Sequence, residues 1–359
     1  MMIYKKKSMC CGCGACTEVC PKKAITMVQD AEGFRYPKIN RFKCIECKKC
    51  VQVCPIKNHE IVKNDNLYLG VQAKEDKLRY VSSSGGIFSI LVRYVIEKQG
   101  IVYGAGYDMH MKVIHKEIYD FSQIDLIRGT KYVQSDVQRV YHSIKKNLEV
   151  DRWVLFCGTP CQVQALLSFL NKKYEKLIVV DLVCYGVPSP GIWRDYVKYL
   201  ERLYNGKMSG FSFRDKRNTD NGHTCSYTIS EKLYTCSIYD NLFCKMYFRN
   251  IILRPSCYEC KFCTVDRKSD FTIGDFWGIE QINPEFDDGM GTSMVIAHTD
   301  KAKKIWEQIK QETHYFICTK ENVLQPRLLT PTKAANGRRG FMILYKILPF
   351  SFIAKLVDN

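Results

Sequence analysis

Two runs of cysteine constrain this chain more than any other feature. "CCGCGACTEVCP" places Cys10, Cys13, Cys16 and Cys20 at the spacing C-x2-C-x2-C-x3-C-P, and "CIECKKCVQVCP" repeats it with Cys44, Cys47, Cys50 and Cys54. Tight loops with two-residue gaps bring three thiolates around one corner of a metal centre. The longer step turns the fourth away, and the proline fixes the backbone there. Zinc also accepts C-x2-C pairs, and eight cysteines satisfy two zinc sites. A doubled run with proline after each fourth cysteine favours iron–sulfur chemistry over zinc.

This is the bacterial two-cluster ferredoxin pattern, in which each fourth cysteine ligates the other cluster. Carried over to this chain, Cys10, Cys13, Cys16 and Cys54 hold one 4Fe–4S cluster, and Cys44, Cys47, Cys50 and Cys20 hold the other. Cys11 is surplus and reads as a small buried side chain beside a cluster.

The chain has 359 residues and 19 cysteines. Without a secretory signal, so many cysteines argue for metal sites or reactive thiols rather than disulfides. The N-terminus, MMIYKKKSMCC, has no apolar h-region, and no stretch reaches the roughly 18 apolar residues of a spanning helix. A cytoplasmic protein is expected. The formal net charge of +17 counts every thiol as neutral. Three four-thiolate clusters at −2 each would lower it to about +11. The remainder suits an acidic redox partner or a phosphate-bearing ligand. The lysines are scattered with no recognition motif beside them, so nucleic acid is not an expected partner.

Beyond the cysteine runs, residues 61–80 read as a polar connection. "SSSGGIFSILVRYVIEKQG" has helical periodicity from Ile87. Ser82–Ser84 supply caps, and Gly85 and Gly86 leave room for a phosphate at the first turn. "GIVYGAGYD" and "MKVIHKEI" read as a hairpin, and a helix is expected over roughly 135–148. "DRWVLFCGTPCQVQALLSFL" followed by "EKLIVVDLVCYGVPSPGIW" is strand, helix, strand, and so a parallel pair with a right-handed crossover. Both loops then lie at the carboxyl ends of adjacent strands, the usual rim for a site. That rim carries Cys161 and Cys184. Cys257, Cys260 and Cys263 form a further C-x2-C-x2-C, in need of a fourth ligand and open to zinc or iron on spacing alone. "GDFWG" is a glycine-flanked turn that fits a flavin border and a packed turn equally. Residues 205–250 suggest short irregular strands.

The motifs "SSSGGIFS", "GAGYD", "RGTKYVQSD", "GTPCQV", "DLVCYGVPSP", "SGFSFRDK", "RPSCYECKF" and "SDFTIGDFWGI", in that order, resemble the coenzyme F420 hydrogenase/dehydrogenase beta-subunit family in its form with an N-terminal two-cluster ferredoxin. The resemblance covers about residues 1–300. It implies an α+β ferredoxin domain at 1–60 and a larger mixed-sheet α/β flavin-binding core at 81–330, on either side of the connection at 61–80; residues 331–359 read as a basic, apolar tail. It also implies FAD and a third 4Fe–4S cluster on Cys161, Cys184, Cys257 and Cys260, with Cys263 or Cys157 as alternative ligands. Ser84, Gly85, Gly86 and the Gly158-Thr159-Pro160 loop would contact the cofactor, and Lys131 would act at the flavin or on a substrate phosphate. Arg214 and Lys216 are weaker candidates. The family's usual Cys-His-Gly reads Cys184-Tyr185-Gly186 here.

The activity implied is an electron relay from clusters to FAD, ending in hydride exchange with coenzyme F420 or another small acceptor. Some relatives resemble proteins of surface polysaccharide synthesis. An electron-transfer subunit serving a separate catalytic protein is the competing reading. The tail fits a helix docked on the core or a segment lying on an anionic membrane.

Overall fold

The computed structural model describes residues 3–137, 139–217 and 223–358. At the N-terminus, β1 (Ile25–Gln29) and β2 (Arg35–Ile39) pair antiparallel. Each cysteine run enters a one-turn helix through a left-handed residue: Gly14 leads into α1 (Ala15–Glu18) and Lys48 into α2 (Lys49–Gln52). The repeat seen in the cysteine spacing is thus a repeat of local backbone geometry.

The core is a mixed eight-stranded sheet of β3 (Leu67–Ala73), β4 (Ile101–Tyr107), β5 (Val113–Ile118), β6 (Val154–Gly158), β7 (Leu177–Leu182), β11 (Phe271–Asp275), β12 (Ser293–Ala297) and β13 (Thr313–Cys318). Their order is β13-β3-β12-β11-β7-β6-β4-β5. The strands β4, β6, β7 and β11 run parallel, and the flanking pairs are antiparallel. The first helices of this domain are α3 (Asp76–Tyr80) and α4 (Ile87–Glu97), and α4 packs on one face of the sheet with the helix Asp300–Ile309. The helices α5 (Val140–Glu149) and α6 (Pro160–Leu170) cover the other face. Val154, Leu155 and Phe156 of β6 are fully buried. Such burial stabilises by about 1.5–3 kcal/mol per large apolar side chain, which explains why this strand reads as an unbroken apolar run.

Three expectations change. Residues 61–80 are not all a connection: Leu67–Ala73 form β3 between β12 and β13. A buried Gln72 and Gly70 break the apolar pattern there. The Gln72 amide is satisfied by Phe286 O at 2.7 Å and Thr292 Oγ1 at 2.9 Å. The helix expected from 135 begins at Val140, because Asp136 is held in a parallel bridge to Ile114. Within 205–250, of which residues 218–222 lie outside the described residues, the structure is regular: α7 (Pro190–Leu203) leads into a three-stranded antiparallel sheet, β8 (Met208–Ser212), β9 (Thr224–Ile229) and β10 (Lys232–Ser237), and then α8 (Leu242–Phe248).

The tail folds onto that subdomain as helices Arg338–Ile347 and Phe350–Asp358, burying Phe341, Met342, Ile353, Ala354 and Val357. Arg338 reaches Glu32 of the N-terminal domain at 2.8 Å. Ile343, Ile347, Phe352 and Leu356 stay exposed on the opposite side. Among the described residues no helix is long and apolar enough to cross a membrane.

Candidate redox centres and cofactor cavity

The eight N-terminal cysteines fall into two neighbourhoods, and each draws on both runs. The Cys16 thiol is pushed up by burial and then by its neighbours Cys10, Cys54 and Cys50, and Cys13 lies beside Cys10 and Cys16. Cys50 neighbours Cys47, Cys20 and Cys44, and these four line one surface depression. Cys54 thus joins the first run and Cys20 the second. No three His, Cys, Asp or Glu side chains among the described residues converge as a single metal ion requires. A four-iron cube keeps its thiolates farther apart than that.

Cys161, Cys184, Cys257, Cys260 and Cys263 meet in one cleft, together with Cys11. Topology explains the first two: β6 and β7 pair in parallel with Gly158 opposite Asp181, so the loops after them share one rim. Thr159 caps α6 through a capping box with Gln162, and its hydroxyl lies 3.2 Å from Cys161 Sγ. Backbone amides face two of the sulfurs: Val187 N lies 3.4 Å from Cys257 Sγ, and Phe262 N lies 3.4 Å from Cys260 Sγ. Burial pushes the Cys184 thiol up and carries Cys257 to about 12. A buried set of thiols with amides aimed at sulfur fits a cationic iron core, which would hold them as thiolates. Cys157 does not line this cleft. It is buried on the far side of the rim, and the charge of Lys131 acts on it.

Cys11 holds a position the sequence could not give. It is buried, packs in one cluster with Cys13 and Cys161, and lines the thiol cleft beside Cys161. It therefore touches the first N-terminal neighbourhood and the core cleft at once. Arg254, also unflagged by the sequence, locks the two together. Its Nε donates to Cys10 O at 2.7 Å, Nη1 to Gln134 Oε1 at 2.9 Å, and Nη2 to Arg35 O at 3.0 Å and towards Cys10 Sγ at 3.7 Å. The guanidinium lies over the Tyr36 ring, 4.3 Å from its centroid. Gly12 has φ +71°, and a Cβ there would stand 2.7 Å from the guanidinium. The nearest sequence signal was Arg254-Pro255 just before Cys257.

Beyond the thiols lies a cavity of about 400 Å³, the size of a small-molecule site. Cys184, Tyr185, Gly186 and Arg327 line both spaces. Ser84, Gly86, Gly158, Thr159, Lys131 and Arg214 line the cavity. Pro160 faces the thiol cleft instead. Gly85 is required by packing, since a Cβ there would stand 2.2 Å from Val71 O and 2.5 Å from Ser293 N. Lys216 is caged by the carbonyls of Ser84 and Met290, at 2.8 and 2.7 Å. In "GDFWG" the two readings divide: Phe276 is packed in the core, and Trp277 is exposed at the cavity.

The Lys131 ammonium is lowered to about 7, chiefly by burial, and donates to Arg128 O at 2.7 Å. Arg214 pairs with Asp275 at 2.8 Å. Three buried polar atoms on lining residues have no hydrogen-bond partner among the described residues: Ser89 Oγ, His115 Nδ1 and Arg214 Nε. The free amides of the α4 N-terminus, the buried cations and these orphaned groups fit an anionic, aromatic cofactor such as a flavin dinucleotide. His115, absent from the sequence candidates, donates Nε2–H to Cys157 O at 3.0 Å, and burial lowers its imidazole to about 4.

Comparison with known proteins comes from three directions. Residues 151–322 match the family model for the C terminus of the coenzyme F420 hydrogenase/dehydrogenase beta subunit, and residues 9–58 match that for a 4Fe-4S dicluster domain. No curated protein matches the chain. Among solved structures, a chain of the F420-reducing [NiFe] hydrogenase complex from Methanosarcina barkeri aligns at 17% identity, covering 81% of this chain and 91% of that one, with a TM-score of 0.45. The two family matches agree with the motifs and the cysteine spacing: residues 151–322 carry the C-terminal region of the coenzyme F420 hydrogenase/dehydrogenase beta subunit, behind a 4Fe–4S dicluster domain at residues 9–58.

Proposed function

We propose that the chain is an iron–sulfur flavoprotein oxidoreductase. Electrons pass between two N-terminal 4Fe–4S clusters and FAD through a third cluster in the core, and the exchange ends on a small acceptor. One observation carries this reading: the thiol cleft meets the dicluster domain at Cys11 and the cavity at Cys184.

Cys161, Cys184, Cys257 and Cys260 hold the third cluster, and Cys263, which lines the same cleft, stands beside it. Cys11 is a buried contact rather than a ligand. In the cavity, Ser84, Gly86 and the α4 amides bind the cofactor's phosphate. Gly158 and Thr159 border it, and Lys131 supplies positive charge. A bound flavin would supply the conversion between one-electron and two-electron transfer, which clusters lack. Trp277 stands exposed at the cavity and offers a flat apolar face to an aromatic acceptor, and Arg214, held by Asp275, offers an anchored cation to an anionic one.

The acceptor is a deazaflavin of the coenzyme F420 kind or another small molecule, including one that serves surface polysaccharide synthesis. Thiolate-held clusters suit a reducing, cytoplasmic setting. The test is turnover by the isolated, cluster-loaded chain. Dithionite-reduced protein that transfers electrons catalytically to F420, or to another deazaflavin or flavin, supports an enzyme. Protein that takes up electrons and turns over none of these contradicts it and leaves a carrier subunit serving a separate catalytic protein.

A further inference from the structure

We infer that the surface over the Cys20, Cys44, Cys47 and Cys50 cluster is the docking face for an acidic one-electron carrier protein. The inference rests on the relay proposed above and names the partner at its outer end.

The two N-terminal neighbourhoods differ in exposure. In the first, Cys13 and Cys16 are buried and Cys10 and Cys54 half-buried, whereas in the second Cys47 is exposed and Cys20, Cys44 and Cys50 are half-buried. The second group opens directly to solvent through a depression lined by Lys22, Ile45, Lys48 and Lys49. Around it Lys23, Arg41 and Lys43 are also exposed. None of these six cations makes an ion pair among the described residues, and the acidic side chain on the depression is Glu46. Phe42 stands fully exposed and Ile45 is 57% exposed. Apolar side chains ringed by unpaired cations, over a redox centre, make an interface with a small dry centre and a steering rim.

The rim selects a partner of opposite charge. The centre selects one that exchanges single electrons. In each encounter one electron moves between the carrier's metal centre and this cluster. One is oxidised as the other is reduced, and no bond or proton is exchanged. The first cluster, walled in by Arg254 and Cys11, offers no such surface and sits next inward.

The test uses the full, cluster-loaded chain and an acidic plant-type 2Fe–2S ferredoxin as probe. Stopped-flow mixing of reduced probe with oxidised protein should give a second-order rate that falls steeply with added salt. Reversing charge with Lys22→Glu, Lys43→Glu and Lys49→Glu together should slow it by about 10- to 1,000-fold, while dithionite still bleaches the clusters fully. The corresponding Lys→Gln triple variant, and the salt series on the unaltered protein, keep the inference testable should charge reversal impair folding. A salt-independent rate, or one unchanged by the substitutions, overturns it. So does a triple variant that loses self-association, or loses co-sedimentation with phosphatidylglycerol vesicles, while electron transfer stays unchanged. A protein that dithionite cannot reduce overturns the relay itself, and the docking face with it.

Discussion

Replacing Arg254 should lower the reduction potential of one N-terminal cluster and leave the other in place. The guanidinium is 1% exposed and directs Nη2 at Cys10 Sγ from 3.7 Å. Taking about 6 Å to the centre of the cube and an effective permittivity near 20, one unit charge acts on the added electron by about 3 kcal/mol. That is about 120 mV for a one-electron couple. Removing a cation disfavours the more negative, reduced state, so the shift is downward. Arg254→Met keeps length and removes the charge. Arg254→Lys keeps the charge and loses the bidentate geometry. Methionine also leaves Cys10 O, Arg35 O and Gln134 Oε1 without their buried donor, at a cost of about 1–3 kcal/mol for each. The lysine variant separates that cost from the charge effect. The assay is a redox titration followed by electron paramagnetic resonance. The expected result is one of the two dicluster signals moved down by about 100 mV in Arg254→Met, mostly restored in Arg254→Lys. Two signals moving equally, or neither moving, would refute the assignment of Cys10 to the cluster facing the core.

Other expectations follow from the same geometry. Cys184→Ala and Cys257→Ala should each lose about four irons of about twelve, leaving the two dicluster signals intact, and iron analysis with resonance spectra checks this. Cys11→Ala should retain about twelve irons but weaken the magnetic interaction between the core cluster and its neighbour, whereas loss of about four would make Cys11 a ligand. Burial lowers the Lys131 ammonium to about 7 in the folded protein, against about 10.4 when unfolded. Between those values the unfolded state binds more protons, so this group's contribution to stability rises with pH. Denaturant titrations of flavin-free protein at pH 6 and 9 should show that rise, and Lys131→Met should remove it. The same proton makes FAD phosphate binding tighter below about pH 7 in the unaltered protein, and Lys131→Met should flatten that dependence.

The cysteine spacing and the strand–helix–strand unit were readable because each rests on local geometry. Spacing of two and three residues dictates which thiols share a corner, and an apolar run between turns dictates a buried strand. What escaped depends on partners far along the chain. β3 was hidden because Gln72 is buried yet satisfied by residues more than 200 positions away. β9 carries Thr224 and Ser226 facing inward, where Ser226 meets Asp215 at 2.5 Å, so its alternation looked polar. Gly85 read as a phosphate contact, but its reason is the close approach of β3 and β12. Cys11 and Arg254 have no spacing signal, since each takes its role from the meeting of two domains. Cys157 and Cys263 were equivalent as spare thiols until the fold put one beside Lys131 and the other beside Cys260.

The central claim is that three clusters lead to a flavin within one chain. Iron, zinc and released-flavin content of protein purified without oxygen tests it directly. The account predicts about twelve irons, one FAD per chain and no stoichiometric zinc. About eight irons with no flavin would contradict it: the protein would then be a two-cluster carrier, and the thiols around Cys184 and the cavity beside them would need another occupant.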